Sequence, residues 1–281
     1  MAIGDIKPGF MGIAEIGSSK VRCTDFNINP RQEPLFYDHI IGLRDSVPTT
    51  IFGGKGDVGA LNTQKRIWRP GVKIYQGNIS YPFTENSAGI LFDLARTGDD
   101  FNVNFAYSCD FGRSYTGCKI NSYTFSATAG DFLTATADIM GLSGSDSGGL
   151  GGYDTVEKII TWDDLTISGD GIGTLPIQSF SFTVNNNCKP IYTAGSNNSL
   201  SLNPAKIRVG MQLVTGSISF YNGGIDLSFM EDETTSRSIS VSTSDGFSVD
   251  LNVVFKPQER SSAISPVISQ LQFVGVDKAL S

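Results

Sequence analysis

The chain is 281 residues long, 40% hydrophobic and 17% charged, against about 25% charge in ordinary soluble domains, which leaves room for one large all-β core or two smaller ones. A formal net charge of −7 and a pI near 4.7 argue against an adhesive nucleic-acid coat, which needs clustered Lys and Arg; contact with DNA would have to be non-adhesive. Cys23, Cys109, Cys118 and Cys188 form no CxxC pair or metal-ligand spacing and His39 is the only histidine, which argues against a zinc site.

The start, "MAIGDIKPGFMGIAEIG", lacks the basic residues and continuous apolar run of a signal peptide, and nowhere do 18 apolar residues follow one another. The chain is therefore expected to be made, and to stay reduced, in the cytoplasm, with no membrane segment. "FNINPRQEPLFYD" (26–38) and "RPGVKIYQGNISYPF" (69–83) read as strands, and "SAGILFDLARTG" (87–98) as a short helix closed by glycine. In 117–141, Tyr123, Phe125, Ala127 and Ala129 alternate with Thr124, Ser126 and Thr128, and Leu133, Ala135, Ala137 and Ile139 alternate with Thr134, Thr136 and Asp138. This predicts a hairpin with one apolar and one hydroxylated face. Its phase slips near Asn121 and Ser122, since Cys118 and Ile120 are even-numbered, and a β-bulge absorbs such an extra residue.

A glycine- and serine-dense stretch at 141–154 reads as a flexible linker. "DTVEKIITWDDL" (154–165) suits either a helical turn or a strand. Beyond it, "IQSFSFTVNNN" (177–187), "IRVGMQLVTGSISFYNGGIDLSF" (207–229) and "SISVSTSDGFSVDLNVVF" (238–255) are strands or hairpins, the last two with Asn-Gly-Gly and Asp-Gly turns. The two halves resemble each other: 69–83 is similar to 208–222, and 26–38 to 182–195, in the same order. The expected organisation is an N-terminal arm (1–20), a first β domain (21–142), a Gly/Ser-rich linker (143–153) and a second β domain (154–281).

Candidate chemistry is sparse. "GSDSGG" (144–149) places Ser147 in a glycine-rich setting, but a nucleophile needs a base and an orienting carboxylate, and adjacent Asp38 and His39 would point to opposite faces of a strand. "GGKGD" (53–57) and "GDGIG" (169–173) lack the spacing and setting of phosphate loops and read as turns. The acidic pairs Asp99-Asp100 and Asp163-Asp164 and the run Glu231-Asp232-Glu233 fall at expected loop ends, and Trp68 and Trp162 are too few for a sugar cleft. Sequons at Asn78 and Asn197 matter only in a secreted eukaryotic protein. Cys109 and Cys118 flank a short segment closely enough to leave a cross-strand pair open. No catalytic, cofactor-binding or metal-binding residue is assigned, no cofactor is expected, and an enzyme is not the expected class.

"YTGCKINSYTFSATAGDFLTATADIMG" (115–141), "WDDLTISGDGIGTLPIQSFSFTVNNN" (162–187) and "VTGSISF" (214–220) resemble, in order, segments of the tail tube proteins of long-tailed bacteriophages. The resemblance spans roughly residues 20–275 and is weaker in the first half. It implies a mainly β fold, a tube-like β-sandwich or partial barrel with a short flanking helix, in two tandem copies. It also implies structural positions: Gly117 and Cys118 where the hairpin begins, Asn185 and Asn186 at a strand end, and Gly216 within a strand. Copies would close into rings that stack into a hollow virion tail tube for DNA delivery, assembled in the bacterial cytoplasm. With the duplication three chains would complete a pseudo-sixfold ring; without it, six. Implied partners are other copies, the tape measure, terminator and baseplate or tip proteins, a sheath where the tail contracts, and DNA in transient passage. Charge-poor strands can meet another subunit without burying unpaired charge, and carboxylates such as Asp138 or those of 231–233 would repel phosphate along a bore. The alternative reading is a β-rich decoration or carbohydrate-binding module of the virion.

Overall fold

The computed structural model describes residues 12–39, 65–84, 87, 89–106, 112–147, 158–173, 175–193, 202–221, 234–256 and 268–280. The fold is mainly antiparallel β, in one large sheet that does not close into a barrel, with one α-helix among the described residues. The organising element is β6 (Gly112–Thr128), a 17-residue strand that returns through the expected turn into β7 (Thr134–Gly141). Their register shifts between Ile120 and Ser122, the expected bulge. Tyr123, Phe125, Ala127, Leu133, Ala135, Ala137 and Ile139 are buried, as the alternation requires, whereas Ala129 is exposed because β6 ends at Thr128 and the chain turns there.

One strand order occurs twice. In the first half, β1 (Gly12–Ile16), β5 (Phe101–Ala106), β6, β7, β4 (Lys65–Pro82) and β3 (Asp25–His39) lie side by side in that order. In the second half, β9 (Leu165–Gly169), β14 (Arg237–Thr243), β15 (Ser248–Lys256), β16 (Ile268–Leu280), β13 (Leu213–Tyr221) and β10 (Ile177–Asn185) do the same. The segments that resemble each other in sequence hold the same rank in each order: β3 with β10, and β4 with β13. The orders join where β10 pairs antiparallel with the C-terminal part of β6, from Ser179 opposite Thr128 to Asn185 opposite Ser122. The N-terminal part of β6 pairs instead with β5 on that edge and with β8 (Ser143–Ser147) on the other. β2 (Ser19–Cys23) completes a hairpin with β1, and β11 (Lys189–Ile191) pairs with β12 (Lys206–Arg208) as a separate ribbon.

A single apolar cluster runs through both halves. At its centre Phe83 meets Phe125 (ring centroids 5.1 Å) and Phe247 (5.2 Å), and Phe125 meets Phe182 (5.4 Å). Helix α1 (Ile90–Thr97) buries Leu91, Phe92 and Ala95 on this cluster and ends at Gly98 in the left-handed conformation. An amphipathic eight-residue helix is too short to persist in water alone, so its packing and caps hold it.

Several elements differ from expectation. Residues 12–20 of the expected arm enter β1 and β2, because β1 finds an edge on β5, and 143–147 of the expected linker form β8, because β6 is long enough to give it an edge to pair with. The ambiguous segment is both things at once: Ile159 and Thr161 make β-bridges, and Trp162–Asp164 then form a 3₁₀ turn. Of residues 207–229, the part before the turn is split between β12 and β13, which belong to different sheets, and 222–229 lie outside the described residues. The Asn-Gly-Gly turn lies outside the described residues.

Candidate functional site: a hydroxyl-lined sheet face

From β3 to β15, eight strands (β3, β4, β7, β6, β10, β13, β16, β15) present their alternate residues on the face away from the core. Cross-strand register gathers these residues into transverse rows. One row runs Asp25, Ser80, Thr136, Thr124, Thr183, Thr215, Val274, Val254. The next runs Pro82, Thr134, Ser126, Ser181, Ser217, Gln272, Lys256. A third joins Asn27, Asn78, Asp138, Ser122, Asn185 and Leu213. The charged residues in these rows are Asp25, Asp138 and Lys256.

The hydroxyls bond to one another across the strands. Ser80 Oγ lies 2.9 Å from Thr136 Oγ1, Thr124 Oγ1 lies 3.0 Å from Thr183 Oγ1, and Ser181 Oγ lies 3.0 Å from Ser217 Oγ. Ser122 Oγ donates to Asp138 Oδ2 at 2.5 Å. Such pairs hold small β-branched or hydroxylated side chains flat and satisfy part of their polarity, which leaves a smooth, hydrated surface without a cation cluster. Phosphate needs clustered cations to bind strongly, so this face offers DNA little to hold.

The face is positioned by a clamp on the other side of the sheet. Asn186, fully buried just after β10, donates through Nδ2 to Ala95 O (2.8 Å) and Ile120 O (3.0 Å). Its Oδ1 accepts from Gln212 Nε2 at 3.0 Å, and Gln212 Nε2 also lies 3.2 Å from Ala95 O. Lys119 Nζ donates to Gly98 O at 2.6 Å and pairs with Asp100 at 3.0 Å. Three side chains from the sheet thereby cap the carbonyl end of α1, and the ammonium complements the negative end of its dipole. Gln212 and Lys119 carry no motif, and only three-dimensional proximity identifies them.

Gly117 adopts φ +57 inside β6, where the register with β5 shifts between Phe101 and Val103, and its N–H bonds to Asn102 Oδ1 at 3.0 Å. Only glycine takes that conformation readily, so this kink is where β6 passes from one set of partners to the other. Cys118, Cys23 and Cys188 are buried free thiols; burial pushes Cys23 and Cys118 up to about 12. Cys109 lies outside the described residues. Gly216 lies within β13, as the resemblance implies.

The remaining sequence candidates do not converge. Ser147 ends β8 opposite Gly112, whereas His39 ends β3 opposite Lys65 and Asp38 lies opposite Arg66. Asp99 and Asp100 follow α1, and Asp164 caps the 3₁₀ turn. Hydrogen bonding from the Thr161 backbone N–H, and then from Lys158, brings the Asp164 carboxyl down to about 2. Residues 169–173 form the expected turn, and Asn78 lies on the hydroxyl-lined face. Residues 53–57, 231–233 and Asn197 lie outside the described residues. Among the described residues no group of three or more His, Cys, Asp or Glu could hold a metal ion, and no helix is long and apolar enough to cross a membrane.

No curated protein matches the chain. The family model of phage tail tube proteins matches residues 68–275.

Proposed function

The chain belongs to the phage tail tube protein family, a structural component of the virion tail, and from that membership we propose that its copies close into rings that stack into the hollow conduit for DNA. The role is structural, not catalytic, with assembly in the host cytoplasm alongside other tail proteins. Two tube-like units, the expected 21–142 with β1 and β2 added at its edge and 154–281, make each chain the equivalent of two ring positions.

The observation that carries this reading is the seam between β6 and β10. Within the chain, the last strand of the second order, β10, pairs with the third strand of the first, β6. The equivalent edges at the chain's two extremes have no strand partner among the described residues: the outer edge of β3, and the edge of β15 past Val253, where β14 stops. A neighbouring copy's β3 on β15 would repeat the internal seam and turn two hazardous edges into a specific contact. Eight strands per chain at about 4.8 Å each give three chains a circumference of about 115 Å, a diameter near 37 Å that tilt widens by about a third. Six chains would double it, which is wasteful for one duplex, so three are favoured. The hydroxyl-lined face then lines the bore, where its neutrality and Asp138 discourage adhesion.

Native mass spectrometry of the purified chain tests this. Three-chain rings that grow into tubes under the electron microscope support it, and six-chain rings remove the two-positions-per-chain reading. A discrete small oligomer without tubes favours a decoration or carbohydrate-binding module.

A further inference from the structure

β8 is a strand that burial does not explain. It continues along β6 in the register that β7 leaves, from Met140 opposite Lys119 to Ser143 opposite Thr116 and on to Ser147 opposite Gly112, across the kink at Gly117. β7 brings Ala135, Ala137 and Ile139 to the core, whereas β8 is "SGSDS", without one apolar side chain, and its Gly144, Ser145 and Asp146 are exposed. Low strand propensity and no apolar burial give it little reason to pair for its own sake. Its side-chain ties to β6 both lie at the surface: Arg113 Nε donates to Asp146 Oδ1 at 3.2 Å, and Thr116 Oγ1 is 2.6 Å from Ser143 Oγ. Exposed ties of this kind contribute little.

What β8 does is cover. Without it, Gly112–Thr116 would show a row of unpaired N–H and C=O groups on the side away from β5, beside a cleft lined by Lys73, Tyr75, Arg113 and Tyr115. An edge of that kind recruits strands from other chains. The outer edge of β8 itself has no strand partner among the described residues, and it is short, polar and charged at Asp146, a make-up that discourages further pairing. Gly144 suits the place, since a Cβ there would stand 2.8 Å from the Tyr115 ring and 3.2 Å from that of Tyr75. The second half covers the same edge: β16, which holds the rank of β7, pairs with β15 at Gly275 opposite Val253 and, past an irregularity in register, again at Leu280 opposite Leu251. The outer edge of β3 and that of β15 past Val253 have no such cover among the described residues.

We propose that β8 is an edge guard, which closes the Gly112–Thr116 edge of β6 to a second copy and so confines strand pairing between copies to β3 and β15. The inference rests on the ring reading for the edges that are used, and adds why this third one is not. A guard must pair well enough to exclude a competitor yet offer it nothing to extend, and a short run of serine, glycine and aspartate meets both needs.

Two full-length variants test it. Ser145→Pro/Asp146→Pro removes two successive N–H groups, which point to opposite sides of a strand, so one of them faces β6 whichever way the ladder runs. Ser114→Cys/Ser145→Cys puts thiols on directly opposed residues, close enough for a disulfide that locks the guard in place once oxidised. In the proline variant, circular dichroism is expected to match wild type while amide exchange over 112–116 quickens by about tenfold or more. Sedimentable material other than tubes is expected to rise by about tenfold or more, at a concentration where the wild-type chain gives rings and tubes. The oxidised cysteine variant is expected to assemble as wild type does. The proposal is overturned if 112–116 loses protection with no added association, if it keeps its protection, if the proline variant does not fold, or if the locked variant cannot assemble. Absence of rings from the wild-type chain instead overturns the ring reading, and exchange and association in the proline variant still decide the guard.

Discussion

Asn186 donates a 2.8 Å hydrogen bond to the carbonyl oxygen of Ala95, 91 residues away, and so ties the last turn of α1 to the strand end that follows β10. Removing this fully buried amide leaves Ala95 O to Gln212 Nε2 alone and Ile120 O to the weak Cys188 thiol donor, and leaves a cavity besides; a lost buried hydrogen bond costs on the order of 1–3 kcal/mol. Asn186→Ala is expected to lower stability by about 3 kcal/mol. Asn186→Asp, which keeps the shape but loses the donor, should not rescue it. Urea unfolding with an unchanged slope checks both.

Gly216 faces a different constraint. A Cβ there would meet the Phe273 ring at 2.2 Å and the Ser181 carbonyl oxygen at 2.4 Å, and backbone cannot move aside cheaply. Gly216→Ala should destabilise by about 1–3 kcal/mol. At Gly173 the nearest atom would be 4.0 Å away, so Gly173→Ala should stay within about 0.5 kcal/mol of wild type in the same assay.

If the hydroxyl-lined face borders the bore, Asp138→Lys and Thr124→Lys should leave tube formation intact and slow DNA release from assembled particles. The delay should shrink as salt rises, since added cations hold phosphate electrostatically. Thr124→Val, without charge, should release DNA at the wild-type rate. Equal release by all three variants would show that this face lies elsewhere.

Stability should fall at both pH extremes for identifiable reasons. Unfolded thiols ionise from their ordinary value of 9.0, whereas Cys23 and Cys118 stay protonated until about 12, so their contribution is complete below pH 9 and is lost as pH rises from 9 to 12. Desolvation raises Tyr81 and Tyr123 as well, which steepens the loss above pH 10. Asp164 acts in the other direction: lowered from 3.8 to about 2, it favours the folded state above about pH 4 and ceases to do so as pH falls toward 2. Melting temperatures across this range, with Asp164→Asn flattening only the acid limb, check the assignment.

The hairpin, its bulge and its two faces were legible in the sequence because period-two alternation is a local property that burial then enforces. Tyr123 and Phe125 fall inside, and Thr124 and Ser126 outside, with the phase slip at Asn121. β16 is equally periodic, Leu271 and Phe273 buried between exposed Gln270 and Gln272, but no hairpin turn signal bounds 268–280 to mark it as a strand. β8 was hidden for a physical reason: "SGSDS" has no strand propensity and pairs only because β6 offers an edge. The helix clamp was illegible, since Lys119, Asn186 and Gln212 meet only in three dimensions. The transverse rows of hydroxyls likewise depend on register between strands far apart in the chain.

β6 and β10 run antiparallel with seven residues of each in unbroken register, and if copies close into the proposed tube, tension along it would act on that junction along the strands. Loaded that way, its hydrogen bonds share the force and must rupture together instead of unzipping one after another. A tube joined by such junctions would be stiff against stretching, as a long, slender filament requires.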